Sequence, residues 1–350
     1  MADAAAAPRV VVITGASAGV GRACVRRFAR DGYAVALLAR GRDGLAAALD
    51  EVEKLGARGL VIRTDVSDPN QVEAAAEQIE RELGPIHVWV NNAMVTVMSR
   101  ITDSIPDDYE RVSQVTYLGA VYGTLSALRR MRVRDCGTIV QVGSALAYRA
   151  IPLQSAYCAA KHALRGFNDS LRTELMHDGS NIRVTMVQLP AVNTPQFEWS
   201  RLRFPNQPQP VPPIYAPEVA ADAIAFAAEA AWREVWVGGR NRLLILGNKL
   251  APSVGDWYLA RTGYTSQFTD EPASPDRKDN LYAPLPGDAG AEGRFGHRSR
   301  SRSRLLDASR AWYRATHAIS SWAATHLLGK VAGRRIARSQ PEQPGSTPPR

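Results

Sequence analysis

The β-branched run Arg9-Val-Val-Val-Ile-Thr14 leads directly into Gly15-Ala-Ser-Ala-Gly19-Val-Gly21, and an amphipathic stretch through Phe28 and Ala29 follows. A short buried strand, a glycine turn and a helix start, in that order, admit few folds. Glycines let the backbone come close to a ligand, and the N–H groups and dipole at a helix start attract an anion. The unit is therefore a phosphate-binding element at the head of a parallel α/β sheet. Thr14 ends the strand, and Gly15, Ser17, Gly19, Val20 and Gly21 form the turn that would face a pyrophosphate.

The same alternation continues down the chain. Strands are expected over 33–39, 59–63, 86–90, 137–144, 181–189 and 234–237. Helices are expected over 45–55, 72–83, about 25 residues from 107, and 217–232. Strands alternating with helices predict a Rossmann-type doubly wound parallel sheet of about seven strands, with an irregular and helical C-terminal extension. The expected divisions are a disordered start over 1–8, a dinucleotide-binding catalytic domain over 9–250 and an irregular linker or wrap over 251–304. A basic amphipathic helix over 305–338 and a disordered tail over 339–350 complete the chain.

A chain of 350 residues with 45% apolar content can bury a full core. It holds no apolar run of about 18 residues that would span a membrane. Its start lacks the basic-then-apolar pattern of a secretory signal. Cys24, Cys136 and Cys158 have neither metal nor disulfide spacing, so no metal site is expected and a reducing cytoplasm is the default location. The net charge of +9 sits in the tail: residues 294–350 carry twelve Lys and Arg against two acids, whereas residues 1–293 carry 31 against 32. In the tail, Leu305, Ala308, Trp312, Ala315, Ile319 and Trp322 form an apolar stripe among arginines. Such a helix could lie on an anionic membrane surface, dock on the enzyme body or pair with a partner. The Arg-Ser run 298–304 lacks interleaved aromatics, which argues against nucleic acid.

Tyr157 and Lys161 lie four residues apart in Ser155-Ala-Tyr-Cys-Ala-Ala-Lys161, so on a helix they rise from one face about 6 Å apart along the axis. A free tyrosine holds its proton until roughly pH 10. A nearby ammonium favours the phenolate and would bring that pKa toward the working range. Upstream, Gly137-Thr-Ile-Val-Gln-Val-Gly-Ser144 reads as a buried strand that ends in a hydroxyl facing the ligand crevice. Ser144 could there donate to a carbonyl oxygen while Tyr157 delivers the proton.

Ser144, Tyr157 and Lys161, with Thr14-Gly-x-x-x-Gly19-x-Gly21, resemble the short-chain dehydrogenase/reductase family over roughly residues 8–250. The resemblance implies that Lys161 and Tyr157 also contact the cofactor. It implies that Asp65 and Val66 bracket the adenine and that Asn91-Asn92-Ala93-Met94 corresponds to Asn-Asn-Ala-Gly, which places Asn91 and Ala93 at the cofactor. Pro190, Val192 and Thr194 correspond to the segment that holds the nicotinamide amide. Met94 and Ala191 stand where the family has glycine. Thr116 stands where it has an asparagine that holds a water for proton relay, and a threonine offers fewer hydrogen-bonding groups. Related enzymes are often dimers or tetramers, so a homo-oligomer is expected.

The second strand ends in Ala39-Arg40 rather than in an acid that would bond the adenosine ribose hydroxyls. A guanidinium there can pair with a 2′-phosphate, with Arg42 or Arg22 assisting, which favours NADP(H) over NAD(H). The alternative is a solvated arginine before a helix. Residues 196–213 form a long loop with Phe197, Trp199 and Phe204, a lid for a lipophilic substrate or a cover for the core. The chain thus reads as an NADP(H)-dependent oxidoreductase interconverting a carbonyl and an alcohol. The alternative is a nucleotide-binding scaffold of the same fold with little catalysis.

Overall fold

The computed structural model describes residues 7–317 except 231. Seven parallel strands form its central sheet: β1 (Val10–Thr14), β2 (Ala34–Ala39), β3 (Gly59–Arg63), β4 (Ile86–Asn91), β5 (Thr138–Ser144), β6 (Arg183–Leu189) and β7 (Glu234–Trp236). Their order across the sheet is β7-β6-β5-β4-β1-β2-β3. Every residue of β1, β2 and β5 is buried, which explains the near-continuous apolar runs of β1 and β2. At the edge, β3 is only partly buried.

The helices that cross between strands are α1 (Gly19–Arg30), α2 (Arg42–Lys54), α3 (Pro69–Glu82), α4 (Pro106–Ser113), α5 (Gly119–Arg134), α6 (Ser155–His177) and α7 (Pro217–Ala230). A π-helical turn over Gln114–Leu118 joins α4 to α5, so the long helix expected from 107 carries a bulge in its middle. Strand order reverses at β1, whose neighbours are β2 and β4. The loops after β1 and β4 consequently diverge and leave a crevice at the carboxyl edge of the sheet.

Beyond β7 the chain forms α8 (Gly239–Leu250) and α9 (Pro252–Thr262). The second of these falls in a stretch expected to be irregular from 251; Pro252 occupies its first turn, where a proline is tolerated. Residues 263–303 then return across the sheet's carboxyl edge. Phe268–Pro272 pairs antiparallel with Asn206–Pro208. Ser299–Arg300 pairs with Ile214–Tyr215, which in turn pairs with Ala191–Val192. One compact unit runs to Leu306.

Residues 304–317 are helical. The remainder of the expected helix over 305–338, the tail over 339–350 and residues 1–6 lie outside the described residues. Among the described residues no helix is long and apolar enough to cross a membrane.

Candidate active site

The glycine turn is held from two directions. Gly19 has a φ of +57°, a left-handed backbone that favours glycine. A Cβ at Gly21 would meet the Gly15 carbonyl oxygen at 2.0 Å, so the first turn of α1 packs directly on the loop. The Thr14 hydroxyl donates to the Val90 carbonyl (3.2 Å) and accepts from the N–H groups of Asn92 (2.9 Å) and Ala93 (3.1 Å). Its side chain joins the loops after β1 and β4 from below.

Above this floor is one cavity of about 1020 Å³. Gly15, Ser17, Gly19, Val20, Arg40, Asp65, Val66 and Ala93 line one end of it. Ser144, Tyr157, Lys161, Pro190, Val192 and Thr194 line its middle. Thr14, Gly21, Asn91 and Thr116 do not reach its wall but support it. Asn91 lies in a buried network, accepting from Trp89 Nε1 (2.8 Å) and donating to Thr124 Oγ1 (3.0 Å) and Gln141 Oε1 (3.1 Å). The only local signal for it is Gln141, a lone amide inside a largely apolar strand that needs a partner without saying which residue supplies it.

Ser144 ends β5, and Tyr157 and Lys161 rise from the first two turns of α6. The Ser144 hydroxyl accepts from the Leu146 N–H (3.1 Å) and is hydrogen-bonded to the Tyr157 phenol. Lys161 is 3% exposed and donates to the Val142 carbonyl at 2.6 Å. Its Nζ lies 5.6 Å from the centre of the Tyr157 ring. Burial lowers the lysine pKa from 10.5 to about 8. Burial raises the Tyr157 phenol above 10, against a smaller downward pull from its bond to Ser144. That is opposite to the direction a neighbouring ammonium alone would give. Desolvation of a phenolate outweighs a cation that is itself desolvated and bonded to a carbonyl.

The departures from the family pattern are accommodated. Neither Met94 nor Ala191 has a positive φ, so neither position needs glycine for its backbone. Ala191 lies in the short strand against Ile214. Thr116, in the π-helical turn, donates to the Val95 carbonyl (3.0 Å) and accepts from the Val95 N–H (3.1 Å). Its hydroxyl pins the loop beyond Met94 and keeps one lone pair.

The charged residues around Arg40 have partners. Arg40 donates to the carbonyls of Asn280 (2.6 Å), Tyr282 (2.9 Å) and Leu281 (3.3 Å), all neutral acceptors. Arg22 is buried and pairs with Glu51 (2.9 Å) and Asp288 (3.2 Å), while Arg42 is exposed. The Asp65 carboxylate pairs with Arg111 (2.8 Å) and accepts from the Ser67 N–H (3.0 Å) and hydroxyl (2.8 Å). Burial pushes its pKa up, but these bonds together outweigh that and hold it below the ordinary carboxylate range. In the loop 196–213, Phe197 and Trp199 line the cavity, whereas Phe204 stacks on Phe268 at 4.4 Å. The loop thus supplies aromatic side chains both to the cavity wall and to the packing around Phe268. Cys158, beside Tyr157, is buried and its thiol is pushed up to about 11 by burial, consistent with a packing residue.

Residues 9–202 match the family described as short chain dehydrogenase. The chain belongs to the short-chain dehydrogenase family. An uncharacterized oxidoreductase of Bacillus subtilis, YxnA, is 32% identical over 276 residues, spanning 78% of each chain. The dehydrogenase/reductase SDR family member 7B of Bos taurus is 34% identical over 192 residues, 53% of this chain and 58% of its own. Among solved structures, a short-chain dehydrogenase/reductase from Burkholderia phymatum in complex with NAD superposes with a TM-score of 0.59 at 26% identity. It covers 65% of this chain and 88% of that one. An alcohol dehydrogenase from Thermococcus sibiricus complexed with 5-hydroxy-NADP gives 0.56 at 25% identity, covering 65% and 95%. This short-chain dehydrogenase is thus an oxidoreductase by family, with a C-terminal segment that lies beyond the matched region.

Proposed function

We propose that this protein interconverts a carbonyl and an alcohol on a lipophilic substrate, using NADP(H), with Tyr157 as general acid and base. The observation that carries the reading is the convergence of Ser144, Tyr157 and Lys161 on the wall of one cavity whose far end is the glycine turn. The fit of that end to a dinucleotide rests on the glycines: a Cβ at Gly19 would sit 3.3 Å from Thr194, inside the cradle. The two solved relatives carry NAD and an NADP derivative. A bound nicotinamide would supply the hydride.

Each residue then has a separate task. The raised pKa of Tyr157 keeps its proton in place for delivery to a developing alkoxide. Ser144, its acceptor side satisfied by Leu146, donates to the same oxygen. Lys161, held by Val142, fixes a positive charge beneath the site while protonated. Leu146, Ile151, Phe197, Trp199, Val211 and Pro212 give the substrate end apolar walls. The NADP(H) preference is supported by Arg40, whose hydrogen bonds go to three neutral carbonyls, with Asp65 acting on it only through its field, and which keeps two of its five N–H groups free of those carbonyls.

The test is oxidation of NADPH and NADH against a panel of hydrophobic aldehydes and ketones, in the native enzyme and in Tyr157→Phe. Replacement should leave dinucleotide affinity intact and lower turnover by about 10²- to 10⁴-fold. Undiminished turnover would remove Tyr157 from this role. Dinucleotide binding without turnover in the native protein would favour a nucleotide-binding scaffold, a reading motivated by the engagement of Thr116 with Val95.

A further inference from the structure

Residues 280–295 cross the cavity mouth without helix or strand. They touch, in order, the same three parts of the floor that the glycine crevice offers. At the start, the carbonyls of 280–282 accept from Arg40. The Gly287 N–H donates to Asp43 (2.7 Å), Asp288 pairs with Arg22 (3.2 Å), and the Gly290 carbonyl accepts from the Gly19 N–H (3.0 Å) at the head of α1. At the far end the N–H groups of Gly293 (3.3 Å) and Phe295 (2.9 Å) donate to Asn193, beside Thr194. Pro284, Leu285, Gly287 and Ala289 share the cavity wall with Gly15, Ser17 and Gly19.

The segment is anchored unevenly. Leu281 is fully buried in the main core and Phe295 packs with Phe197 and Ile214. Between these two anchors, residues 282–290 bury no apolar side chain fully and hold to the body through hydrogen bonds, one ion pair and the Tyr282 ring beside Arg111 and Arg201. A stretch with few buried apolar contacts between two fixed ends opens at low cost in free energy. A ligand that takes hydrogen bonds from the glycine turn must displace the Gly290 carbonyl from the Gly19 N–H, so it enters or leaves only as these contacts part.

We propose that residues 282–290 are a strap forming the outer wall of the dinucleotide site, and that the strap opens each time a nicotinamide dinucleotide binds or leaves. This rests on the dinucleotide reading above. It adds to the site a wall drawn from residues well past the matched family region, which ends at 202.

A reversible lock tests it. A Cβ built at Gly41 lies 3.3 Å from the Pro284 Cβ, just under the usual 3.5–4.5 Å of a disulfide. Gly41→Cys combined with Pro284→Cys should bind NADPH or NADH when reduced. When oxidised, association and release should both slow by at least about tenfold, as for lid-gated sites. Stopped-flow nucleotide fluorescence reads both rates, and the fraction of free thiol confirms the bond. Equal rates in the oxidised and reduced forms would overturn the strap. No binding of either nucleotide to the native, reduced or oxidised protein would overturn the dinucleotide reading, and the strap with it. Asp288→Ala, which removes the pair with Arg22, should raise association and release together, by about fivefold. A simple charge effect would move the two rates in opposite directions, so unchanged or opposed rates would also overturn the strap. If the disulfide does not form, that variant decides alone.

Discussion

Lys161 shows how far a single residue can be set against the stability of its own fold. Its ammonium has one close acceptor, the Val142 carbonyl, and burial lowers its pKa from 10.5 to about 8. Below pH 8 the lysine is charged in both folded and unfolded states, and burying that charge costs about 3 kcal/mol by linkage. Between pH 8 and 10.5 the folded lysine is neutral while the unfolded one still binds a proton. The cost therefore disappears as pH rises through that window. Lys161→Met should be more stable than the native protein at pH 7, with the difference closing toward pH 10. Paired denaturant titrations at several pH values measure this, since other groups titrate equally in both proteins. A difference that stays constant with pH would mean that the folded lysine keeps its proton to about pH 10 and that burial does not lower its pKa. The position of such a residue in an apolar wall is intelligible only if its charge serves the site.

At the level of elements, the glycine turn, the catalytic strand and α6 were legible in the sequence because each depends on local chemistry. A β-branched run, a glycine spacing and a four-residue repeat fix the backbone and the face it presents. What was not legible depends on contacts between distant segments. Asn91 and Thr14 carry the family pattern, yet their side chains join loops and strands beneath the crevice. Arg40 was read as facing a ligand, and nothing local reveals that residues 280–282 bring three carbonyls to it. Thr116 is a similar case. In the π-helical turn its hydroxyl serves both backbone groups of Val95, and this pair joins the α4–α5 bulge to the loop after β4. Thr116→Val keeps the shape and removes both bonds, leaving a buried N–H and C=O unpaired. The loss should be about 1–3 kcal/mol, read as a shift in the denaturant midpoint at unchanged slope. A shift below a few tenths of that would mean water replaces the hydroxyl.

Across the compact unit, the C-terminal segment behaves as part of the fold. Ser299–Arg300 supplies the outer strand to Ile214–Tyr215 and hence to Ala191–Val192, the loop that borders the site. Phe295 meets Phe197 edge to face at 6.4 Å and is 5% exposed. Arg111, nearly buried, joins Asp65 at the end of β3 to the Leu281 carbonyl at 3.0 Å. A wrap with so many links to the sheet's carboxyl edge should unfold with it in one cooperative transition. Phe295→Ala separates this from the alternative of a loosely attached cover. If the wrap is integral, truncating a buried aromatic costs about 3 kcal/mol and lowers the single melting temperature by about 5 °C. If it is a cover, the main transition stays where it is and a second, weaker one appears below it. Calorimetry distinguishes the two, because only the integral wrap keeps the calorimetric and van't Hoff enthalpies equal in the variant.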